Sequence, residues 1–281
     1  MPELPEVETM RRGVLPAVGA TIDDVQQLPC PCRPLLVSPG IAALRRRVRG
    51  REVQAVDRLG KRVVLRLSNN ESLVFEPRMT GLLLVADPPS IDHLRLRLDL
   101  SGCTLPHIWY WDRRGLGSVR LLKAAELAES LGDRTLGPDA LTLSAAQLAG
   151  RLASSRREIK VALLDQRAVA GIGNLYASEI LHVARVHPCR RCHELTPNQW
   201  KRIHLAMYQV LEEAILHEGS TLSDGTYSNA LNKAGGYQNH HRVYDRAGEL
   251  CPTCGHERIT RLVQAQRSTF FCAGCQDLTG S

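Results

Sequence analysis

The sequence lacks any apolar run close to the ~20 residues that a membrane-spanning helix needs, which argues against a membrane protein. It has no internal repeat and no low-complexity segment, so neither a repeat array nor a disordered chain is indicated. The first residues, MPELPEVET, lack the basic-then-apolar pattern of a secretory signal. We therefore expect a cytoplasmic bacterial protein.

Charge of one sign is not concentrated in a dominant block either. The densest basic run, at 45–51, fits an ordinary solvated face. The net charge over 281 residues is +7, and the isoelectric point is about 9.1. Such a value is typical of nucleic-acid-binding proteins, although a basic protein of another class has the same balance. A hydrophobic content of 43% is enough for the cores of two domains.

The nine cysteines are odd in number and follow no secretory signal, which argues against a disulfide framework. Four of them form the pattern C-x2-C-x17-C-x2-C, namely Cys251, Cys254, Cys272 and Cys275. This spacing predicts one tetrahedral Zn²⁺, which is structural because four thiolates leave no coordination position for a substrate. Two further pairs, Cys30 with Cys32 and Cys189 with Cys192, have no partner pair nearby. We interpret them as unligated thiols, with a second metal site as the alternative.

Periodicity predicts an α+β protein. Apolar residues at helical spacing predict a helix over 5–18, and alternating residues predict short strands from about 20 to 125. These strands indicate an antiparallel β-sandwich or barrel. Helices are expected from about 126, one of them capped by Thr196 with Pro197 in its first turn. Apolar residues at helical spacing over 200–214 predict a buried face on this helix.

These changes in pattern predict three domains. Residues 1–134 are expected to form the β-sandwich with its leading helix, 135–242 a helical domain, and 243–281 a zinc-bound β-hairpin. A loop rich in Gly, Ser and Asn occupies about 219–242. The hairpin is expected to turn near Gln266 and Arg267, so Arg267 lies at its tip, where it either contacts phosphate or faces solvent.

Glycines at 171 and 173 and then Asn174 precede a segment of helical periodicity. The start of a helix offers backbone N–H groups that bind anions, and Asn174 is suited both to capping the helix and to donating to a phosphate. Capping alone is the simpler interpretation. The spacing does not match the G-x-G-x-x-G motif after a strand, so a dinucleotide site is disfavoured.

The N-terminus is a candidate catalytic group. Because a small second residue normally allows removal of Met1, Pro2 would carry a secondary amine, which attacks a carbonyl-like carbon to give an iminium. The positive end of the helix starting near Pro5 disfavours the ammonium form. Glu3 and Glu6 supply carboxylates for proton transfer. An ordinary acidic helix start is the alternative.

Together these pieces resemble formamidopyrimidine-DNA glycosylase, of the helix–two-turn–helix DNA glycosylase superfamily. The resemblance rests on MPELPEVET at 1–9, GIGNLYASE at 171–179, the V-Y-x-R-x-G run at 243–248, and QRSTF before Cys272. Leu4 is the residue found at this position in the oxidised-purine branch, whereas the endonuclease VIII branch usually has Gly there. The match runs nearly from end to end.

The resemblance implies a base-excision repair glycosylase and abasic-site lyase acting on damaged double-stranded DNA. It would remove oxidised purines (8-oxoguanine and formamidopyrimidines). Pro2 would attack the sugar C1′ and form a Schiff base, and β,δ-elimination would follow. Glu3 matches the acid/base acting on the sugar, and Lys61 matches a lysine needed for base removal. We expect one structural Zn²⁺, a monomer, and a location with the bacterial nucleoid.

The resemblance also implies DNA contacts. Asn174 and Arg267 match phosphate ligands beside the flipped nucleotide. The resemblance also assigns Arg267 to the catalytic residues. Glu6 matches a residue near the base pocket. His93 is kept in a stretch that is rich in histidine in the family. The loop at 219–242 matches the lesion-binding loop.

A flipped nucleotide leaves a hole that side chains must fill. The matching positions are Met79, Arg114 and Leu116, of which Arg114 would pair with the widowed base. Two departures bear on these residues. The family normally has Phe at the position of Leu116, and 76–78 reads Glu-Pro-Arg where His-Leu-Gly is favoured.

Two other functions remain as alternatives. One is a relative of the endonuclease VIII type that prefers oxidised pyrimidines. The other is a non-catalytic DNA-binding protein that uses the zinc hairpin. Covalent trapping on damaged DNA distinguishes an enzyme from a binder, and the preferred lesion distinguishes the two enzymes.

Overall fold

The structure, a computed structural model, describes residues 2–222, 225 and 227–278. The chain forms two compact units. Unit 1 comprises Met1–Gly132 with Ile215–Gln238, and unit 2 comprises Asp133–Ala214 with Asn239–Ser281. Within the described residues, no helix is both long and apolar enough to cross a lipid bilayer.

Unit 1 begins with helix α1, Leu4–Val14, which continues into a short 3₁₀ turn at Leu15–Ala17. The helix predicted over 5–18 is thus confirmed. Pro5 stands in the first turn, where a missing backbone N–H costs nothing. Val7, Met10 and Val14 recur at helical spacing and are completely buried.

Unit 1 continues with nine strands: β1 Thr21–Gln27, β2 Leu36–Ser38, β3 Val53–Leu59, β4 Arg62–Leu67, β5 Glu71–Glu76, β6 Gly81–Leu84, β7 Leu94–Ser101, β8 His107–Asp112 and β9 Ser118–Lys123. They form a four-stranded sheet in the order β1-β7-β8-β6 and a five-stranded sheet in the order β2-β9-β5-β4-β3. Side chains of both sheets share one apolar core, so the expected β-sandwich is confirmed. Its pairing is antiparallel except between β2 and β9, which is parallel.

Two short helices flank the strands. Helix α2, Ile41–Val48, contains most of the basic run and was not predicted. Two of its three arginines are paired rather than simply solvated, because Arg45 binds Asp24 and Arg47 binds Glu71. Helix α3, Ala124–Leu131, follows β9, and its leucines pack on the outer face of the five-stranded sheet.

A group of charged side chains fixes α1 against β3. The Glu8 carboxylate accepts hydrogen bonds from Arg11 at 2.8 Å, Arg12 at 3.0 Å and Arg58 at 3.2 Å. Arg11 also donates to the carbonyl of Val56 at 3.2 Å. Burial opposes the ionisation of Glu8, but the hydrogen bonds from Arg11 and Arg12 lower its pKa to about 2. This network therefore holds the helix that follows the N-terminal proline.

Glu8→Gln is expected to lower the free energy of unfolding at neutral pH by roughly 1–3 kcal/mol, because the ion pairs are lost. The pKa of Glu8 in the folded state lies below its ordinary value of 4.5. Its stabilising effect is therefore complete above that value and disappears as the pH falls through about 2. Urea titrations should show the difference between wild type and variant shrinking on acidification. Glu212→Gln, on an exposed helical position, is the control, and a difference independent of pH would contradict the ion pairs.

Unit 2 is helical and ends in a hairpin. Its elements are α4 Ala145–Leu152, α5 Ile159–Leu163, α6 Asn174–Val183, most of α7 Pro197–Leu216, β10 Ile259–Gln264 and β11 Arg267–Cys272. The predicted cap of α7 is confirmed, since Gln199 N–H donates to Thr196 Oγ1 at 3.2 Å. The predicted apolar face of α7 is buried, as expected, at Trp200, Ile203, Met207, Val210, Leu211 and Ala214.

Candidate functional site

The N-terminal residues of unit 1 form a buried, polar corner at the start of α1. Pro2 is buried, and Glu3 and Glu6 are only 4% and 3% exposed. Glu3 stands immediately before the helix in an extended conformation, and its N–H donates to Glu6 Oε2 at 2.8 Å. The amino-terminal end of α1, with its positive dipole, thus lies next to Pro2 and these two carboxyl groups.

The loop predicted at 219–242 contacts this corner within unit 1. Ser220 N–H donates to Glu6 Oε1 at 2.9 Å, so backbone N–H groups bind both oxygens of Glu6. Gly219 has a φ of +78°, and a Cβ there would lie 2.8 Å from Glu6 Oε1. Only glycine fits this approach. Glu6 therefore connects α1 to the loop. Ser223, Asp224 and Thr226 of the loop lie outside the described residues.

Lys61 occupies the two-residue turn between β3 and β4, where it is half-buried. The preceding turn residue is Gly60, whose carbonyl accepts a hydrogen bond from Arg58 at 3.2 Å. Because Arg58 is also bound to Glu8, the turn is connected to the charged network that fixes α1. Lys61 is thus held on a rigid hairpin of the same unit that contains Pro2.

Three side chains are predicted to fill the hole that a flipped nucleotide leaves in the duplex, and they lie on two neighbouring loops of unit 1. Met79 is exposed in the turn between β5 and β6. Arg114 is exposed and Leu116 partly exposed in the loop after β8. Arg114 N–H donates to the hydroxyl of Thr80, beside Met79, at 3.0 Å. The structure therefore brings these residues to one region of the sandwich.

Asp112 fixes the loop of Arg114 and Leu116. Its side chain is completely buried, and its two carboxylate oxygens accept N–H groups from Arg114 at 3.2 Å and from Gly117 at 2.8 Å. The backbone N–H of Asp112 donates to the carbonyl of His93 at 3.0 Å. His93, which is half-buried, therefore lies next to the residue that shapes this loop.

Asn174 is the first residue of α6, and Gly173 stands at its N-cap position. The expectation that Asn174 caps the helix is therefore wrong, because its side chain makes longer-range contacts instead. Asn174 Oδ1 accepts from Lys160 Nζ at 2.6 Å, and Asn174 Nδ2 donates to the carbonyl of Ser268 at 2.9 Å. Lys160 is fully buried and was missed, since in the sequence it resembles any helical lysine.

Arg267 is exposed and is the first residue of β11. The turn itself consists of Ala265 and Gln266, both with positive φ. It is therefore one residue earlier than predicted, and Arg267 stands beside the tip, paired with Gln264. Because Asn174 contacts Ser268, the structure brings Asn174 and Arg267 into one region of unit 2.

Glu179 connects α6 to the segment before the hairpin, and this role was not predicted. Its carboxylate is completely buried and accepts backbone N–H groups from Arg242, Val243 and Tyr244 at 2.8–2.9 Å. Burial raises the pKa of Glu179, and the three backbone donors act against that effect. Its acidic side chain inside an apolar helical motif was the only signal available in the sequence.

The four predicted zinc ligands converge. The sulfur atoms of Cys251, Cys254, Cys272 and Cys275 all lie within 4.8 Å of one another. Two opposite pairs are 3.8 and 3.7 Å apart, close to the separation of about 3.8 Å expected for tetrahedral Zn–S bonds of 2.3 Å. Backbone N–H groups of His256 and Glu257 lower the pKa of Cys254, which favours the thiolate form that a metal ion needs. The donor set fits one structural Zn²⁺.

The zinc hairpin is fastened to α6 by a second group of polar contacts. His182 Nε2 and the hydroxyl of Thr253 are 2.9 Å apart, and His182 Nδ1 lies 3.2 Å from Gln276 Oε1. Gln276 also accepts from Cys272 N–H at 3.0 Å. These contacts reach a metal ligand directly, so they orient the hairpin that presents Arg267.

Family comparisons cover most of the chain. Residues 1–119 match the model of the formamidopyrimidine-DNA glycosylase N-terminal domain, and residues 136–226 match that of its H2TH domain. Residues 248–278 match the zinc finger found in FPG and IleRS. The three matched segments contain, in chain order, the MPELPEVET motif, the GIGNLYASE motif and the four zinc-site cysteines.

Individual relatives extend over the full length. Formamidopyrimidine-DNA glycosylase of Chloroflexus aurantiacus is 42% identical over 98% of both chains. The crystal structure of MutM (Fpg) from Thermus thermophilus has a TM-score of 0.84 and 36% identity over 98% of both chains. A Lactococcus lactis Fpg mutant in complex with Fapy-dG-containing DNA has a TM-score of 0.86 and 30% identity, covering 98% of this chain and all of that one. The chain belongs to the formamidopyrimidine-DNA glycosylase family.

Proposed function

We propose that this protein is a base-excision repair glycosylase with abasic-site lyase activity, acting on oxidised purines in double-stranded DNA. The observation that carries the proposal is the family match, which covers 98% of the chain at 42% identity. We propose Pro2, Glu3 and Lys61 as the catalytic residues in unit 1, on the motifs that contain them. The relatives of Lactococcus lactis were solved with DNA that contains an abasic site or Fapy-dG. We expect a monomer in the cytoplasm, associated with the nucleoid.

The proposed reaction begins at Pro2 after removal of Met1. Its neutral amine attacks C1′ of the damaged nucleotide, the bond from C1′ to the base breaks, and the base leaves with a proton. The C1′–O4′ bond then breaks as O4′ takes up a proton, and the ring-opened product is an iminium that links Pro2 to the sugar. Glu3, at the start of α1, is suited to exchanging protons with the sugar. β-elimination followed by δ-elimination then releases the DNA on both sides of the sugar.

The proposed DNA contacts come from both units. In unit 2, Asn174 and Arg267 bind phosphates. In unit 1, His93 and Lys61 contact the DNA backbone near the lesion, and Glu6 lies near the base pocket. The side chains that enter the duplex are Met79, Arg114 and Leu116. We keep 1–134, 135–242 and 243–281 as the proposed domains, with the lesion-binding loop at about 219–242.

The two alternatives receive less support. The relatives compared above are named for formamidopyrimidines, which disfavours an oxidised-pyrimidine enzyme of the endonuclease VIII type. The carboxyl groups of Glu3 and Glu6 lie buried beside Pro2, where they suit proton transfer at an amine nucleophile, and this favours an enzyme over a protein that only binds DNA.

A cleavage assay tests the proposal. Duplexes that carry 8-oxoguanine, an oxidised pyrimidine, a bare abasic site or no damage are incubated with the protein, and released base and cut strand are measured separately. We expect release of the oxidised purine, cutting of the abasic strand and no action on intact DNA. Preferential release of the pyrimidine would favour the endonuclease VIII type, and tight binding without cutting would favour a binder.

Lys61→Ala is expected to slow release of oxidised purines by roughly 10²-fold, because a cation near the departing base is lost. Cutting at a preformed abasic site should change much less, since no base has to leave. Single-turnover rates on the two duplexes measure both effects. Lys201→Ala, at an exposed position of α7, is the matched control. An unchanged release rate in Lys61→Ala would contradict the proposed role.

A further inference from the structure

A second group of metal-binding side chains lies in unit 1, between β1 and β2. The sulfur atoms of Cys30 and Cys32 and a ring nitrogen of His93 all lie within 4.8 Å of one another. Cys32 Sγ is 3.8 Å from His93 Nδ1. This distance is close to the separation of about 3.6 Å expected between S and N ligands of one tetrahedral zinc. The geometry is thus close to that of a preformed three-ligand site.

Arg95 holds the cysteine segment on both sides. Its carbonyl accepts from Leu28 N–H at 3.1 Å, and its Nη1 donates to the carbonyl of Arg33 at 2.9 Å. The Arg95 side chain is only 2% exposed, and it stands two residues from His93 on the same chain segment. The two anchors therefore bracket Cys30 and Cys32 and keep them beside His93.

Each ligand is also oriented individually. In the metal-free thiol form, Cys30 Sγ donates to the carbonyl of Asp92 at 3.0 Å, and zinc would take the place of this proton. The rings of His93 and Trp111 meet in a T-shaped contact with centroids 5.5 Å apart, and Trp111 Nε1 donates to the carbonyl of Ser90 at 3.0 Å. Fixed ligand orientation lowers the cost of closing a coordination sphere. Cys32 is exposed, so an ion can reach the site.

We propose that Cys30, Cys32 and His93 form a second metal site, distinct from the zinc hairpin, that binds one Zn²⁺ with water in the fourth position. Thiolate and imidazole ligands select zinc and soft ions over Mg²⁺ or Ca²⁺. Two thiolates and a neutral imidazole balance the charge of one Zn²⁺. With three ligands and an exposed position, this site should release zinc before the four-cysteine site does.

Metal binding here should weaken binding of damaged DNA, a step that rests on the proposed function. With zinc on Nδ1, the His93 ring is held toward Cys30 and Cys32. It can then no longer turn Nδ1 toward a phosphate and keeps only Nε2–H as a donor. The site also adjoins the loop after β8 that contains Arg114 and Leu116. A Cβ on Gly115, next to Arg114, would lie only 2.4 Å from the carbonyl of Arg33, and Asp112 binds the His93 carbonyl. Zinc would therefore stiffen the segment against this loop.

Zinc content tests the site without reference to DNA. Full-length protein in a reducing buffer is equilibrated with micromolar free Zn²⁺, and bound zinc is measured by mass spectrometry of the metal. We expect two zinc ions per chain for wild type and one for the double variant Cys30→Ser, Cys32→Ser. Cys103→Ser, at another half-buried cysteine, should keep two. One zinc in wild type, or two in the double variant, would overturn the proposal.

A spectroscopic measurement identifies the ligands. Co²⁺ added to protein that already holds zinc in the hairpin should give thiolate charge-transfer absorption in wild type but none in the double variant. The single variant His93→Gln should keep reduced absorption, because both thiolates remain. Equal absorption in wild type and the double variant would place the cobalt elsewhere and overturn the assignment.

The DNA step has its own measurement. Affinity for a duplex with an abasic-site analogue is compared between wild type holding one zinc, prepared with a mild chelator, and wild type holding two. We expect the protein with two zinc ions to bind this duplex about ten-fold more weakly, because one contact to a charged phosphate is lost. In the double variant, zinc should not change the affinity. Equal affinities would overturn the competition with DNA. A protein that fails to bind damaged DNA in either state would instead contradict the proposed function, while the zinc count stands separately.

Discussion

Inserting one glutamine between Met1 and Pro2 is expected to abolish covalent trapping on DNA. A large second residue prevents removal of Met1, and the nitrogen of Pro2 becomes an amide with no lone pair available for attack on C1′. Borohydride reduction of wild type with abasic DNA should give a protein–DNA adduct, located by mass spectrometry at Pro2. The inserted variant should give no adduct and no strand cutting.

Two controls separate chemistry from folding in this experiment. Binding of the inserted variant to an uncleavable duplex should stay close to wild type, because the DNA contacts proposed in unit 2 are untouched. Pro2→Gly, which leaves a primary amine after Met1 removal, should retain part of the trapping. Normal strand cutting by the inserted variant, or an adduct on any side chain, would reject the proposed nucleophile.

Sequence periodicity predicted those parts of the fold that depend on local pattern. α1 and the apolar face of α7 follow the helical repeat, which records burial directly. The zinc site was predictable because two C-x2-C pairs at this spacing are typical of a four-thiolate zinc site. The β-sandwich followed from alternation, although the parallel pairing of β2 with β9 leaves no local signal.

Helix α2 was missed for a physical reason. Its eight residues are too few for a helix to be stable by itself, and three of them are arginines. Tertiary contacts stabilise it, through the pairs of Arg45 with Asp24 and of Arg47 with Glu71. Since these partners lie 21 and 24 residues away in the sequence, no window of the sequence contains the interaction.

The candidate site was predicted residue by residue from motifs, but the contacts that position its residues were not. Lys160 beside Asn174, and Arg95 beside the cysteine segment, are buried cations whose partners only the fold brings near. Asn174 illustrates the difference, because a local rule makes it a cap while its side chain is engaged with Lys160 and Ser268. Motifs thus locate reactive groups, whereas long-range contacts decide their orientation.

Cys254→Ser is expected to release the hairpin zinc. Affinity for damaged DNA should fall roughly 10²-fold, because about two charge-assisted contacts to phosphate are lost. The apolar core of the hairpin is small, with Val243, Ile259 and Phe270 as its main members. Such a hairpin depends on its metal, because structural zinc supplies about 10–16 kcal/mol to domains of this kind. Zinc content, DNA affinity and hydrogen exchange of the hairpin amides measure the three consequences.

The effect on DNA follows from how the hairpin is held. When its strands separate, Arg267 is no longer presented and Ser268 no longer accepts from Asn174, so both proposed phosphate ligands of unit 2 lose their orientation. The sandwich of unit 1 has a core of its own and should stay folded, with unchanged exchange of its strand amides. Cys103→Ser is the matched control for the substitution itself. Unchanged DNA affinity after loss of this zinc would mean that the hairpin takes no part in binding, and that DNA is held by unit 1 and α6 alone.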